Sequence, residues 1–445
     1  MLRHASRRGA PRGGRGMATL TVVMVLFFIM ALVAAYANRN LLIEQRVATN
    51  SYRAERAMTA AEAGVEWGIA LLNRGRVDMA CSPSSDATDA SPRDRYLGRQ
   101  QGGQFAPLTA AGKILGPSCA VSNGQVACAC PTVAVPDPSP HAVQSWPLNQ
   151  PASAFRVVVQ DFNATVPGVV MLEVQGCGSP GQGNTGCASS DPTVVLPEVD
   201  GFGTVRVFLG LMQALPQVPT AALTAGQTIT ANDTLTVTNV DPATGLSVRA
   251  GVSVTAATSR YAGPAGSSDA GVLNGDASLS GLVPAAQDRF KATDRLFRST
   301  FGLDAPTYRR QPAVVRIACG NAGCSMDDLE TAIARYPGLT YWFDGDLNLS
   351  SVPAGPVGTA THPLMLIVTG NLTVSAAMDL TGFFYANSVD WLGGAAGASL
   401  RGALMAIGTF RSDVPATVAY DADVLQTIRL YYGSFVRVPA SWSRP

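Results

Sequence analysis

The sequence predicts an α+β chain, in which one long amino-terminal helix, its first third apolar enough to span a membrane, is followed by a β-rich body. Three observations predict it. Thr19 to Ala37 is uncharged. The residues after it keep helical spacing with no proline before residue 83. Beyond residue 75, short Val- and Thr-rich stretches alternate with Gly, Pro and Asn turns. With 45 Gly, 29 Pro and only 14% charged residues in 445, the body suits turn-linked strands rather than a helical bundle, and the length allows two or more domains. A net charge of +1, with no basic run beyond residue 15, removes the electrostatic reason to expect nucleic acid as a partner.

Residues 1–16 carry Arg3, Arg7, Arg8, Arg12 and Arg15 and no acid, so they stay in the cytoplasm while the rest is exported. As a helix, the apolar run at about 1.5 Å per residue matches a bilayer core of roughly 30 Å. "AYA" at Ala35–Ala37 offers a signal-peptidase site. The sequence after it, however, is helical rather than loop-like, with Ala54, Ala57, Ala61, Val65, Ile69 and Leu72 near i+3/i+4 spacing. One helix over 17–74 is expected, membrane-spanning over 17–37, ending at "NRG" with Gly75 as C-cap.

Residues 75–150 are Ser-, Pro- and Gly-rich and read as a covered loop region stapled by disulfides. All eight cysteines lie after the apolar run, as suits an exported, oxidised body. Local bridges Cys177–Cys187 and Cys319–Cys324 would close Gly-rich loops. Cys128 and Cys130 are too close to bond each other, so they pair with Cys81 and Cys119 in an order the sequence leaves open. The competing reading, a zinc site, has three His and no CxxC to build on.

Residues 151–445 form the β-rich body. "FRVVVQDFNATVPGVVMLEVQG" reads as a hairpin and "TVRVFLGLMQAL" as a third strand. Helices are expected at 284–302, with Phe290, Leu296, Phe297 and Phe301 as contacts, and near 325–337, with Ser325 as N-cap. "MDLTGFFYAN" (378–387) and "ASLRGALMAI" (398–407) align at a period of 20, with "LMLIVTGNLTV" a less regular repeat before them. Stacked β-coils show this period; an ordinary β-sandwich is the alternative.

Reactive side chains are few. His4 precedes the apolar run, leaving His141 and His362 in the exported part. "GQGNTG" (181–186) sits between cysteines without the strand and helix a dinucleotide site needs. "DGDLN" (344–348) spaces Asp344, Asp346 and Asn348 like a calcium loop, but Leu349 replaces the turn glycine and no Glu closes the loop. The chain is therefore expected to be non-enzymatic, with no cofactor and no metal.

The basic leader ending in Gly16, the "MATL" that follows, the apolar helix, "ERAMTAAEAGVEWGIALL" and above all Glu44–Asn50 ("EQRVATN") and Ala60–Gly64 ("AAEAG") resemble the PilX-type minor pilins of type IV pilus systems. The ending "YDADVLQTIRL" to "VPASW" is similar too. The resemblance implies prepilin-peptidase cleavage between Gly16 and Met17, methylation of the new amino terminus and retention of the apolar helix. It implies a bacterial inner-membrane protein with a periplasmic body, displayed at the cell surface when assembled. Its partners would be major and minor pilins, the inner-membrane pilus assembly machinery and a tip adhesin or cell-adhesion surface. Most pilins carry Glu at the fifth mature position; here it is Thr21. That departure favours a tip or initiating subunit over a bulk one. A membrane-anchored periplasmic binding module outside any pilus is the alternative.

Overall fold

The computed structural model describes residues 15–122, 125–136, 153–160, 166–178, 201–264 and 271–444. Its first element is a single helix, α1 (Arg15–Leu72), of 58 residues. At about 1.5 Å per residue it is roughly 87 Å long. No proline interrupts it, and its second half has a small-residue stripe to lay on a sheet.

After α1 the chain turns through α2 (Pro92–Tyr96), capped by Ser91. Two short antiparallel pairs follow, β1 (Leu97–Gln100) with β2 (Gln104–Pro107) and β3 (Thr109–Ala110) with β4 (Lys113–Ile114). Next come β5 (Ser118–Ser122), β6 (Gln125–Ala129), β7 (Ser153–Gln160), β8 (Val169–Cys177) and β9 (Phe202–Gln213). The Cys- and Pro-rich stretch expected as loop is thus partly a sheet: β5 and β6 pair with each other and β5 with β7. Alternation in "CAVS" and "QVACA" is too short to announce a strand, and the cross-strand Cys119–Cys128 bridge supports the pairing. The β7–β8 hairpin and the third strand β9 are antiparallel neighbours. Residues 137–150 lie outside the described residues.

From residue 221 the architecture changes. The strands are β10 (Ala221–Ala225), β11 (Thr228–Thr238), β12 (Leu246–Ala250), β13 (Ser253–Ala262), β14 (Val272–Asn274), β15 (Val314–Ala318), β16 (Cys324–Ser325), β17 (Thr340–Asp344), β18 (Leu347–Leu349), β19 (Leu364–Val374), β20 (Asp379–Trp391), β21 (Ser399–Ala406), β22 (Phe410–Ser412) and β23 (Ala416–Tyr420). Every pairing among them is parallel, each coil laid in register on the next. On β20 and β21, Asp379 faces Ser399 and Ala386 faces Ala406, so the sequence period of 20 is the coil register itself. β19, the less regular repeat, is the coil beneath, with a register shift between Val368 and Asn371.

The coils do not stack in chain order. One face runs β15, β17, β19, β20, β21, then β10, β12, β14. The chain enters mid-stack at Ala221, coils outward to Asn274, crosses to the far end at Val314 and coils back to meet its own start, where Leu223 pairs with Leu404.

The crossing uses α3 (Ala277–Ser280), α4 (Arg295–Phe301) and α5 (Ala305–Tyr308). The helix expected over 284–302 is therefore broken: a 3-10 turn at Ala286–Asp288 and α4 are all that is helical. Phe290 has φ 56°, and Asp294 takes the N-cap of α4, accepting from the Phe297 and Phe290 N–H groups. An aspartate is better placed at a cap than inside a helix. Phe290, Phe297, Phe301, Tyr308, Trp342 and Tyr385 join edge-to-face beneath this crossing. In the coils, α6 (Met326–Arg335) starts after Ser325, whose N–H and hydroxyl both donate to Asp328.

Finally α7 (Ala422–Tyr431) returns the chain to the first sheet, where β24 (Gly433–Arg437) pairs antiparallel with β9. That sheet then reads β24-β9-β8-β7-β5-β6. The coil stack is an insertion between two neighbouring strands, and Ala214 N–H donates to Tyr432 C=O at 2.9 Å where the two connections pass.

Candidate functional site

α1 divides into two halves with opposite environments. Leu20, Phe27, Phe28, Met30, Val33 and Tyr36 are more than half exposed, and the exposed apolar run continues to Tyr52. These side chains pack on nothing else in the described chain. Water does not tolerate such a surface, but a bilayer or a bundle of like helices does. Thr21 lies on this half and is exposed, as are Glu44, Arg46 and Asn50 of the "EQRVATN" motif; Gly16 and Met17 are in the first turn.

From Ala57 onward the helix is seated. Ala57, Ala61 and Val65 have no solvent exposure, whereas Ala54 stays exposed. The seat is made by glycines on both sides. A Cβ on Gly64 would lie 2.6 Å from Val174 Cγ1 and 2.7 Å from Phe155 Cδ2; one on Gly176 would lie 2.1 Å from the Ala57 carbonyl oxygen. The "AAEAG" motif is therefore a close-approach surface, matched by Gly176 and Gly203 on β8 and β9.

The carboxyl end of α1 is held by a buried polar cluster that sequence reasoning missed. Arg93 Nε donates to Leu72 C=O at 2.7 Å; its Nη2 donates to Asn73 Oδ1 at 2.9 Å and to Gly433 C=O at 2.6 Å. Asn73 bonds both main-chain groups of Phe435. A cation at a helix carboxyl terminus meets the negative end of the dipole, while burial pushes the Arg93 guanidinium down to about 10. Gly75, expected as the C-cap, has no left-handed φ; its role is steric, since a Cβ there would lie 2.1 Å from Arg335 C=O.

Three disulfides are described: Cys81–Cys130, Cys119–Cys128 and Cys319–Cys324. Cys177 is disulfide-bonded, and Cys187, its expected partner, lies outside the described residues. The first bridge ties the segment after α1 to the end of β6.

Among the described residues the candidate reactive groups do not converge. His141 and the 181–186 loop lie outside the described residues. His362 is half exposed, with Asp94 at 4.0 Å, and burial together with Arg99 lowers its pKa. Asp344 is taken up by Arg309, Arg316 and Trp342 Nε1, and Asp346 accepts from the Asn371 N–H. No cluster of metal-ligating residues occurs among the described residues.

Residues 15–66 match the family model described as PilX N-terminal, so the segment carrying the resemblance is also the segment matched. No curated protein matches the sequence. Among solved structures, the competence-associated pilin ComZ from Thermus thermophilus aligns at 10% identity, covering 88% of this chain and 97% of its own, with a TM-score of 0.20.

Proposed function

We propose that this chain is a non-enzymatic, minor pilin-like subunit of a type IV pilus or related assembly, inserted by its amino-terminal helix and acting in pilus initiation, in a tip complex or at a surface. The observation that carries the reading is the division of α1: one unbroken helix, apolar and exposed at one end and interlocked with a sheet at the other. A disposable signal cut after Ala37 would sever that helix in the middle. A pilin-type subunit needs the continuity, since the exposed half packs among neighbouring helices while the seated half fixes the body to them. The match of residues 15–66 to the PilX N-terminal model supports the same reading.

In this reading prepilin peptidase cuts between Gly16 and Met17, the new terminus is methylated, and the subunit waits in the inner membrane with its body in the periplasm. Thr21 then stands where a carboxylate would cost about 2.5–3.5 kcal/mol in the membrane and would attract the subunit ahead. Without it, the subunit suits a position with nothing ahead of it. Amino-terminal sequencing of the mature protein tests the reading. Met17 is expected, and its loss on Gly16→Val should abolish assembly with other pilins. Met1 or Asn38 as the mature terminus would instead make the chain an anchored or secreted binding module.

A further inference from the structure

β15 ends the coil stack: it pairs with β17 on one side and, among the described residues, with no strand on the other. Along that open edge runs a cavity of about 460 Å³, walled across from β15 by the turn after α1 and the end of α6. Val314, Val315 and Arg316 all line it. Successive side chains of a strand point to opposite faces, so three in a row mark a groove along the strand's edge, where main-chain donors and acceptors lie.

The groove is basic. Arg74, Arg76, Arg316 and Arg335 line it, and no acidic side chain does. Arg76 is fixed in place, its Nε donating to Ala334 C=O at 2.6 Å and its N–H to Arg335 C=O at 2.8 Å. Arg316 reaches Asp344 at 3.2 Å, but that carboxylate also serves Arg309 and Trp342. Arg335 stacks over Tyr336, and the exposed Arg74 side chain makes no ion pair or hydrogen bond among the described residues. Positive charge thus exceeds negative beside an unpaired strand edge.

The geometry points to a docking groove for an extended acidic peptide from a partner protein, added as a strand on β15 with its carboxylates toward the arginines. A peptide matches both features at once. An acidic oligosaccharide would answer the arginines but not the strand's alternation of donors and acceptors at about 3.3 Å per residue. The inference stands on the groove and not on the pilus reading. The groove lies at the end of α1 away from the exposed apolar half, which leaves it accessible from solution when that half is in a membrane.

The test uses the full-length chain in detergent micelles and a fluorescent peptide of roughly eight residues, a typical strand length, alternating Glu and Val. Its fully N-methylated counterpart and an oligogalacturonate serve as competitors. The peptide is expected to bind, to slow amide exchange over Val315–Ala318, and to lose at least about tenfold in affinity to the Arg74→Glu/Arg335→Glu protein. Thermal unfolding monitors the fold of that variant, and the exposed single change Arg74→Gln, expected to weaken binding in the same direction, replaces it if it unfolds. Absence of binding, equal competition by the N-methylated peptide, competition by the oligogalacturonate alone, or undiminished binding to the charge-altered protein would each overturn the proposal.

Discussion

Arg93 shows how much one side chain organises here. Removing its charge from water opposes folding, yet three acceptors, on α1, on Asn73 and on β24, converge on it. Replacing it by Met leaves those acceptors buried and unpaired, and a cost of about 3 kcal/mol is expected from the desolvation of orphaned groups. Chemical unfolding of the detergent-solubilised chain would measure it; an unchanged midpoint would mean that water takes over all three bonds. Gly64 poses a balance of opposite terms. Alanine gains about 1 kcal/mol of helix propensity at an interior position, but its Cβ meets Val174 and Phe155 below van der Waals distance, and overpacking costs about 1–3 kcal/mol. Gly64→Ala is therefore expected to be destabilising by about 1 kcal/mol, and a stabilised variant would show that the helix can lift from the sheet without loss.

At the scale of elements, legibility in the sequence depended on whether the signal is local. α1 was legible because apolarity, helical spacing and the missing proline all lie in one stretch, and the β7–β8 hairpin because its turn lies between two obvious strands. The coil stack was legible only where β20 and β21 keep a constant offset. Elsewhere Ala221 faces Leu246 and Thr340 faces Met365 at one spacing while Leu364 faces Gly382 at a shorter one, and the facing residues differ too much for a period to show in the sequence. The 284–302 helix failed because apolar spacing outweighed Asp294, whose capping preference breaks it. The site followed the same rule: the exposed half of α1 could be read, while Arg93, in "SPRDRYLGRQ", looks solvated until Gly433 comes beside it. Elements that stand alone can also be removed alone. Leu20, Phe27, Phe28, Val33, Tyr36 and Tyr52 all project into the surroundings, so a chain beginning at Ser51 is expected to be soluble without detergent and to keep its near-ultraviolet circular dichroism; loss of that signal would show the projecting half to be structural.

The outermost coil carries the clearest pH dependence among the elements. Asp276 caps α3, accepting from the Ser278 hydroxyl and N–H and pairing with Arg249 at 2.6 Å. The Ser278 hydroxyl bond first, and then Arg249, hold its carboxyl down at about 2. A carboxylate held lower in the folded state than in the unfolded chain contributes stability above about pH 4, and this contribution is lost as pH falls toward about 2. Near the surface it is worth about 1 kcal/mol after solvent screening. Asp276→Asn should remove that part of the acid dependence, seen as amide exchange of β14 that no longer accelerates between pH 4 and 2; unaltered acceleration would assign the effect to other carboxylates.

For the whole molecule, the decisive feature is that the coil stack leaves and rejoins the first sheet at one point. Gln213 faces Gly433 across β9 and β24, and residues 214 and 432 are already hydrogen-bonded. The sheet therefore does not need the insertion to bring its strands together; it needs only a turn. The stack, in turn, closes on itself through Leu223 and Leu404 rather than through the sheet. Replacing residues 215–431 by Asn-Gly, which favours the turn a two-residue hairpin requires, is expected to leave a folded module. α1 would still be seated by Gly64 and Gly176, Arg93 would still reach Gly433, and Cys81–Cys130 and Cys119–Cys128 would still form. Contacts across the junction, such as Ala313 N–H to Ser434 Oγ and Arg76 to Ala334, would be lost, so stability should fall while the fold persists. Thiol titration showing no free cysteine, together with a dispersed amide spectrum in detergent, would bear this out. A chain with reactive thiols would mean that the coils template the sheet, and that the two parts form one folding unit despite their separate strand ladders.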